Sequence, residues 1–481
     1  IGGPVQERIL ELFRDHFGVE PDAVLPMAGD GSSRRYRRLR APGVGTVIGA
    51  HGPDAEENRA FLSFSSAFRT AGFPVPDIFV ADEARGVWLE EDLGDTTLFG
   101  ALEEARAAGE GFPESVLPAY ERVVDWLPRF QLDGHRVVDY AVACPRGAFD
   151  EQSILWDLNY FKYHFCKLAG VPFHEARLEA DFGRLCAFLL EADSDHFLYR
   201  DFQSRNVMLR DGEPWFLDYQ GGRRGALAYD IASLLYDAKA DLPETVRGRL
   251  LDRYLGRLAE RDAVRPEEFL RHFPGFVLVR ILQALGAYGY RGFFERKPHF
   301  LRSVPFAARN LEAILAGGLP VSLPELERVL SDIARRFAHR RPGPDPDPGR
   351  LTVTVVSFSY RRGYPDDVGG HGGGFVFDCR ALPNPGREER YRACTGRDPE
   401  VAAYLERAEE TRPFRERTRG LVEDQVRTYL ERGFSSLTVA FGCTGGQHRS
   451  VFFAERLAGD LRRAFPEVEV RLHHREEPFW P

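Results

Sequence analysis

Three side chains with oxygen donors fall close together in RDFQSRNVMLRDGEPWFLDYQ: Asp201, Asn206 and, at the end of the apolar run FLD, Asp218. Phosphoryl transfer needs a group that positions and deprotonates the attacking hydroxyl, and hard oxygen ligands for the divalent cation on the phosphates. The Asp201 carboxylate suits the first task, and the Asn206 amide with the Asp218 carboxylate suits Mg2+. A lone D-x4-N arises by chance and can simply shape a turn. Here, two short apolar strands flank the turn and a second aspartate follows the second strand, which strengthens the chemical reading.

A second stretch, FGCTGGQHRSVFF (441–453), sets Cys443 ahead of Thr444, Gly445, Gly446, His448, Arg449 and Ser450. The paired glycines let successive N–H groups point inward, and a helix opening near His448 adds its positive end. Arg449 offers a planar fork for phosphate. Cys-x5-Arg-Ser also fits a cysteine phosphatase, whose thiolate the same groups would activate. Such an enzyme needs a proton donor for the leaving oxygen, and Asp378 and Asp366 are the candidates. A buried strand-end cysteine beside a phosphate-holding loop is the third reading.

The elements that must position these residues fall into two groups. Residues 5–17 have helical spacing, GDGSSRRYRRLR reads as a turn into a strand, and GTVIGA and VWLEEDLG read as strands around the helical EENRAFLSFSSAFRTAG. After Gly94 the pattern is mostly helical to about residue 335, broken by the loop-rich stretch around Asp201. This order predicts two lobes with a cleft. Four prolines alternating with Gly and Asp in HRRPGPDPDPGR (339–350) predict an extended linker. Beyond it, LTVTVVSFSY, GFVFDCRAL, SSLTVAFGCTGG and VEVRLHHRE read as strands. The helices there are expected at 418–433 and across HRSVFFAERLAGDLRRAF, which predicts an α/β domain with a mostly parallel sheet.

The bulk properties exclude little. The chain has 481 residues, 43% hydrophobic, with a formal net charge of −9. Residues 351–481 hold 20 Arg and 20 Asp+Glu, so the acidity belongs to residues 1–350 and bulk charge gives no support for nucleic-acid binding. No window approaches the roughly 20 apolar residues of a membrane span. IGGPVQERILELF has no basic leader followed by an apolar block, so no secretion signal is expected. The six cysteines form no CxxC or zinc spacing and fit a reducing cytoplasm. Lysine occurs only at 162, 167, 239 and 297.

YRDFQSRNVML, FLDYQ and GALAYDIASLLYD resemble the aminoglycoside-phosphotransferase branch of the protein-kinase-like fold. With GDGSSRRYRRLR, FPVPDIFVAD and LEEDLGDTTL, they are most similar to the AmgK-type anomeric kinases of N-acetylmuramic acid and N-acetylglucosamine. The resemblance covers most of residues 5–335. It implies an α+β bilobal kinase-like domain over 1–338, with lobes at about 1–92 and 93–338, using ATP and Mg2+ on a sugar substrate. It makes Asp201 the catalytic base, gives the metal to Asn206 and Asp218, and sets backbone groups near Glu91, Asp92 and Leu93 against adenine. Asp230 would brace the catalytic loop, although an N-terminal helix cap explains it equally well. Two departures stand out. The usual histidine two residues before the base is Tyr199, and no lysine precedes residue 162 to grip the phosphates. Ser32, Ser33 and Arg34 or Arg35 are the replacements in reach, with Glu56 or Glu57 as the arginine's partner; a solvated strand face is the bland alternative. WDLNYFKYHFCKLAG is either a sugar-site wall or a buried amphipathic helix.

VVSFSYRRG, FVFDCRALPNP, ACTGRDPEVAAYLE and LTVAFGCTGGQHRSVFFAERLA resemble the C-terminal domain of the RNase adapter RapZ over nearly all of 351–481. That resemblance implies a domain that senses glucosamine-6-phosphate, binds a small RNA and usually forms oligomers. Cys443, Thr444, Gly445, Gly446, His448 and Arg449 would form the phosphate loop, with Asp378, Arg380 and Asn384 facing the sugar or bracing the site. The family's P-loop half is replaced by the kinase-like part. Its basic C-terminal end is absent from HHREEPFWP, which counts against an RNA role. His371 in DDVGGHGGG is either a lid residue or an exposed loop histidine. Three alternatives to a sugar kinase with a sugar-phosphate effector stay open: an RNA-binding adapter with a degenerate kinase, an aminoglycoside-type kinase, and a cysteine phosphatase.

Overall fold

The computed structural model describes residues 4–27, 34–107, 109, 111–295, 297–339, 350–365 and 374–480. Ser32, Ser33, Asp366, His371 and linker residues 340–349 lie outside them. The chain divides into two compact units, Ile1–Tyr290 with Ser303–Arg340 and Arg291–Arg302 with Arg341–Pro481.

The first unit opens with α1 (Pro4–Phe17), β1 (Ala23–Pro26), β2 (Arg35–Ala41), β3 (Gly45–His51), α2 (Ala55–Thr70), β4 (Ile78–Asp82) and β5 (Val87–Glu91). The strands form an antiparallel sheet in the order β1-β2-β3-β5-β4. Leu39, Val47, Val87 and Leu89 alternate onto one face and bury Ile9 and Phe13 of α1. Asp54 caps α2 by accepting the N–H groups of Glu56 and Glu57 at 2.9 and 3.1 Å. β4 was not among the predicted strands; it pairs with β5 through a register shift at Ile78/Val80, which blurs its alternation.

The remainder is helical, with α3 (Leu98–Ala107), α4 (Leu117–Pro128), α5 (Glu151–Phe161), α6 (Glu175–Leu189), α7 (Ala228–Leu235), α8 (Glu244–Ala259), α9 (Pro266–Gly289), α10 (Val304–Gly317) and α11 (Pro324–Phe337). Two small antiparallel ladders interrupt it. β6 (His196–Leu198) pairs with β9 (Arg223–Gly225), and β7 (Val207–Arg210) pairs with β8 (Glu213–Phe216). These ladders bracket the turn that carries Asp201 and the loop that carries Asp218.

The second unit comprises β10 (Thr352–Ser359), β11 (Gly374–Asp378), α12 (Pro399–Glu406), α13 (Thr411–Glu431), β12 (Ser436–Cys443), α14 (Arg449–Ala464) and β13 (Glu469–His474). Its sheet runs β11-β12-β10-β13, and every pair is parallel. β12 is buried along its whole length, as a central parallel strand must be. Helix α13 starts at Thr411 rather than at 418, because Pro413 falls in its first turn, where a missing N–H costs nothing. No helix among the described residues is long and apolar enough to cross a membrane.

Candidate active site

In the first unit, β6 delivers the chain into the turn at Tyr199–Asp201. Arg200 stands at φ +83° and Asp218 at φ +64°, conformations that a residue with a side chain adopts only when its surroundings enforce them. The enforcement is visible. Asp230, wholly buried, accepts the N–H of Tyr199 at 2.8 Å and that of Arg200 at 2.9 Å. Burial pushes its carboxyl up to about 7 against these donors. The N-cap of α7 is Leu227, with no side-chain bond, so Asp230 braces the turn and is not a cap. Gln131 donates Nε2 to both Asp230 and the Leu227 carbonyl, which fixes the brace in turn.

The three sequence candidates converge. Asn206 donates Nδ2 to the Asp201 carbonyl at 2.8 Å and to Asp218 Oδ2 at 3.1 Å. Burial, and then the Asp201 charge, push the Asp218 carboxyl up. Sequence reasoning missed four supports. Gln220 donates to Asp218 Oδ1 at 2.6 Å. Tyr199, in the place of the usual histidine, donates its hydroxyl to the Leu217 carbonyl at 2.6 Å and so ties the Asp201 turn to the Asp218 loop. Arg200 holds both oxygens of Asp157 on α5 at 2.6 and 2.7 Å and donates to Tyr229. Tyr219 stacks on Phe61 of α2 and bonds Ser65 at 2.6 Å. Only Gln220 left a local signal, a polar residue two places beyond Asp218.

This site fits a divalent cation. Asp218 and Asn206 offer hard oxygen donors of the kind such a cation takes. Gln220 Oε1 is buried beside them with no hydrogen-bond partner among the described residues. The described residues hold no group of three or more His, Cys, Asp or Glu suited to a metal, so a cation would lean on phosphate and amide oxygens as well. Asn206 and Asp218 are the side chains that would hold it.

The structure separates the two arginine candidates. Arg35 is exposed, whereas Arg34 is 5% exposed. The Arg34 guanidinium lies 5.1 Å over Phe61 and 5.5 Å over Trp88, and its Nη2 reaches the Glu57 carbonyl at 3.5 Å. Its charge is felt at Asp218, Glu57 and Glu90. Glu57, raised chiefly by burial, also feels Asp218 and Asp201. Arg34 thus presents a buried cation to the Asp218 site from the sheet side. On the segment expected to face adenine the side chains are committed elsewhere: Glu91 pairs with Arg210 at 2.5 Å and Asp92 with Arg38 at 2.7 Å. The Glu91 N–H is spent on the Asp77 carbonyl at 2.8 Å. Leu93 is buried.

In the second unit, the sheet order places a topological switch between β10, whose chain continues to β11 on one side, and β12, whose chain continues to β13 on the other. The crevice beyond the carboxyl ends of such strands is where α/β sheets bind ligands. Cys443 ends β12 there. Its sulfur accepts the Gly446 N–H at 3.2 Å and lies 3.1 Å from Ser450 Oγ. Gly446 has φ +70°, and a Cβ on it would come within 2.4 Å of Glu476 Cγ. Gly445 faces open space. Thr444 accepts Ser359 Oγ through its carbonyl at 2.8 Å, and His448 Nε2 donates to the Tyr391 carbonyl at 2.7 Å. Asp378 ends β11 opposite Gly442 and is clasped by Arg380 at 2.7 Å. Arg449 is 4% exposed and donates Nη1 to the carbonyls of Arg380 and Leu382, both at 2.9 Å. Asn384 meets His448 across Gly386, where a Cβ would lie 3.3 Å from the imidazole and 3.5 Å from Asn384 Oδ1. The sequence candidates therefore gather at one sheet end, with Ser359 and Glu476 as unforeseen neighbours.

The two arginines give a direct test. Arg34→Met should raise the KM for ATP and lower kcat/KM by about 10- to 100-fold, the worth of a charge-assisted bond to phosphate. Arg35→Met should stay within about twofold of wild type. Equal effects in steady-state kinetics would show that Arg34 has no special place.

Residues 24–266 match the phosphotransferase enzyme family, and residues 351–478 match the RapZ C-terminal domain. The N-acetylmuramate/N-acetylglucosamine kinase of Pseudomonas aeruginosa is 29% identical over 322 residues, covering 64% of this chain and 90% of that protein. A nucleotide-binding protein of Koribacter versatilis is 40% identical over 154 residues, which are 32% of this chain and 46% of that protein, so the chain spans under half of that relative's length. Among solved structures, choline kinase LicA from Streptococcus pneumoniae aligns at a TM-score of 0.43 with 14% identity, over 64% of this chain and all of that one. The chain belongs to the phosphotransferase enzyme family, as an ATP-dependent kinase with a hydroxyl acceptor, and carries a RapZ C-terminal domain fused behind it.

Proposed function

We propose that the kinase domain transfers the γ-phosphoryl of ATP to a hydroxyl of an N-acetylated amino sugar, N-acetylmuramate or N-acetylglucosamine, at the anomeric position. The observation that carries this reading is the joining of Asp201, Asn206 and Asp218 through one amide, on a turn braced by Asp230. The sugar class rests on the likeness to the Pseudomonas kinase. Asp201 takes the hydroxyl proton as the new P–O bond forms and the bond to ADP breaks. Arg34 faces the phosphates from the sheet side. A divalent cation, Mg2+ in this reading, supplies neutralisation of the phosphate charge when bound. The described cysteines are all free, which suits a cytoplasmic setting.

We further propose that the C-terminal domain binds an amino-sugar phosphate such as glucosamine-6-phosphate and regulates the kinase. The loop from Cys443 to Arg449, with Gly446 at positive φ ahead of the α14 N-terminus, supports phosphate binding. The Arg380 clasp holds the Asp378 carboxyl below its usual range, which disfavours it as the proton donor that a phosphatase needs, while Asp366, the other candidate, lies outside the described residues.

Two experiments test these proposals. ATP turnover over a sugar panel, with the phosphorylated oxygen located by NMR, should give an anomeric phosphate. Asp201→Asn should lower kcat by about 10²- to 10⁴-fold, the range for a lost general base; an unchanged kcat removes the base assignment. Saturating glucosamine-6-phosphate should shift the kinase rate or nucleotide affinity by about 5- to 150-fold, the usual span of coupling energies. No change in either removes the regulatory link.

A further inference from the structure

Arg223, the first residue of β9, is 6% exposed and lies beside the catalytic turn. Its Nε donates to the Gly221 carbonyl at 2.9 Å and its Nη2 to the Cys144 carbonyl at 3.3 Å. Gly221 joins it to the base: a Cβ on that glycine would stand 3.8 Å from Asp201 Oδ2. Among the described residues, no carboxylate lies within 4.0 Å of the Arg223 guanidinium. The nearby Asp157 is committed, since Arg200 takes both its oxygens. Burial, and next the charge of Arg200, bring Arg223 down to about 10, against the weaker pull of the Asp157 and Asp201 charges. A buried guanidinium that meets only carbonyls is costly until an anion completes it.

We propose that Arg223 receives an anionic group on the acceptor, so that the site prefers carboxylate-bearing sugars to neutral ones. The inference rests on the sugar-kinase reading above. Asp201 is the group that the acceptor hydroxyl must reach, and Arg223 stands next to it and outside the Asn206–Asp218 pair, whereas Arg34 already serves the phosphate side. The planar guanidinium matches a carboxylate in a way that a point charge does not. Of the two sugars named for the Pseudomonas relative, N-acetylmuramate has a carboxylate and N-acetylglucosamine has none.

The test uses the full chain with N-acetylmuramate, its methyl ester and N-acetylglucosamine, by initial rates and by saturation-transfer NMR with a non-hydrolysable ATP analogue. Wild type should use the acid about 10- to 100-fold better than the ester in kcat/KM, the worth of a bond to a charged group. Arg223→Met should erase that preference while changing N-acetylglucosamine by less than about threefold, and Arg223→Lys should keep part of it. Equal use of acid and ester by wild type overturns the proposal. So does an equal loss for all three sugars in Arg223→Met, which would mark contact with the phosphoryl group or a positioning role. If no sugar is turned over, the acceptor reading fails and the binding arm decides. Preferential binding of the acid that vanishes in Arg223→Met upholds the anion receptor, and equal binding of acid and ester overturns it.

Discussion

The carboxylate of Asp230 has no exposed surface, and the turn that carries Asp201, the proposed base, hangs from it by two backbone N–H bonds. Leaving either donor unsatisfied in the interior would cost about 1–3 kcal/mol. That is enough to hold Arg200 at positive φ, where an isolated chain would not stay. From this constraint the site follows. The Asp201 carbonyl faces Asn206, Asn206 meets Asp218, and the Tyr199 hydroxyl locks the two loops together. The Arg200 side chain, aimed by the same turn, closes on Asp157 and couples the turn to α5.

How much of this was legible in the sequence depended on how local each interaction is. Asp201, Asn206 and Asp218 lie on one short stretch between apolar strands, so residue type and spacing were enough to propose them. The choice between Arg34 and Arg35 was not legible. It turns on Phe61 and Trp88, which the fold brings from α2 and β5 to cover one guanidinium while the other faces out. Tyr199 read as a departure from the expected histidine, yet its hydroxyl bonds the chain just ahead of Asp218. Helix α13 begins at Thr411, ahead of the expected 418, because its first turn tolerates Pro413. β4 has a register shift that hides its period.

The C-terminal domain applies a similar logic with different parts. The site proposed for an anion is mostly backbone, set at the switch point of a four-stranded parallel sheet, and the side chains around it hold loops. Arg449 illustrates the difference between motif and structure. The sequence offers it as a fork for phosphate, while the fold spends its Nη1 on the carbonyls of Arg380 and Leu382. Cys443 is likewise engaged, by Gly446 and Ser450, and Asp378 is clasped by Arg380.

In the proposed reaction, Asp201, Asn206 and Asp218 meet on one metal-bound triphosphate. Crystals grown with a non-hydrolysable ATP analogue and Mn2+ test it directly through anomalous scattering. A manganese peak is expected within bonding distance of Asn206 and Asp218, next to the β- and γ-phosphates, with the Asp201 carboxylate open toward the γ-phosphate. A peak bound elsewhere, or a nucleotide that leaves Asp218 without metal, would show that these three side chains do not share one nucleotide.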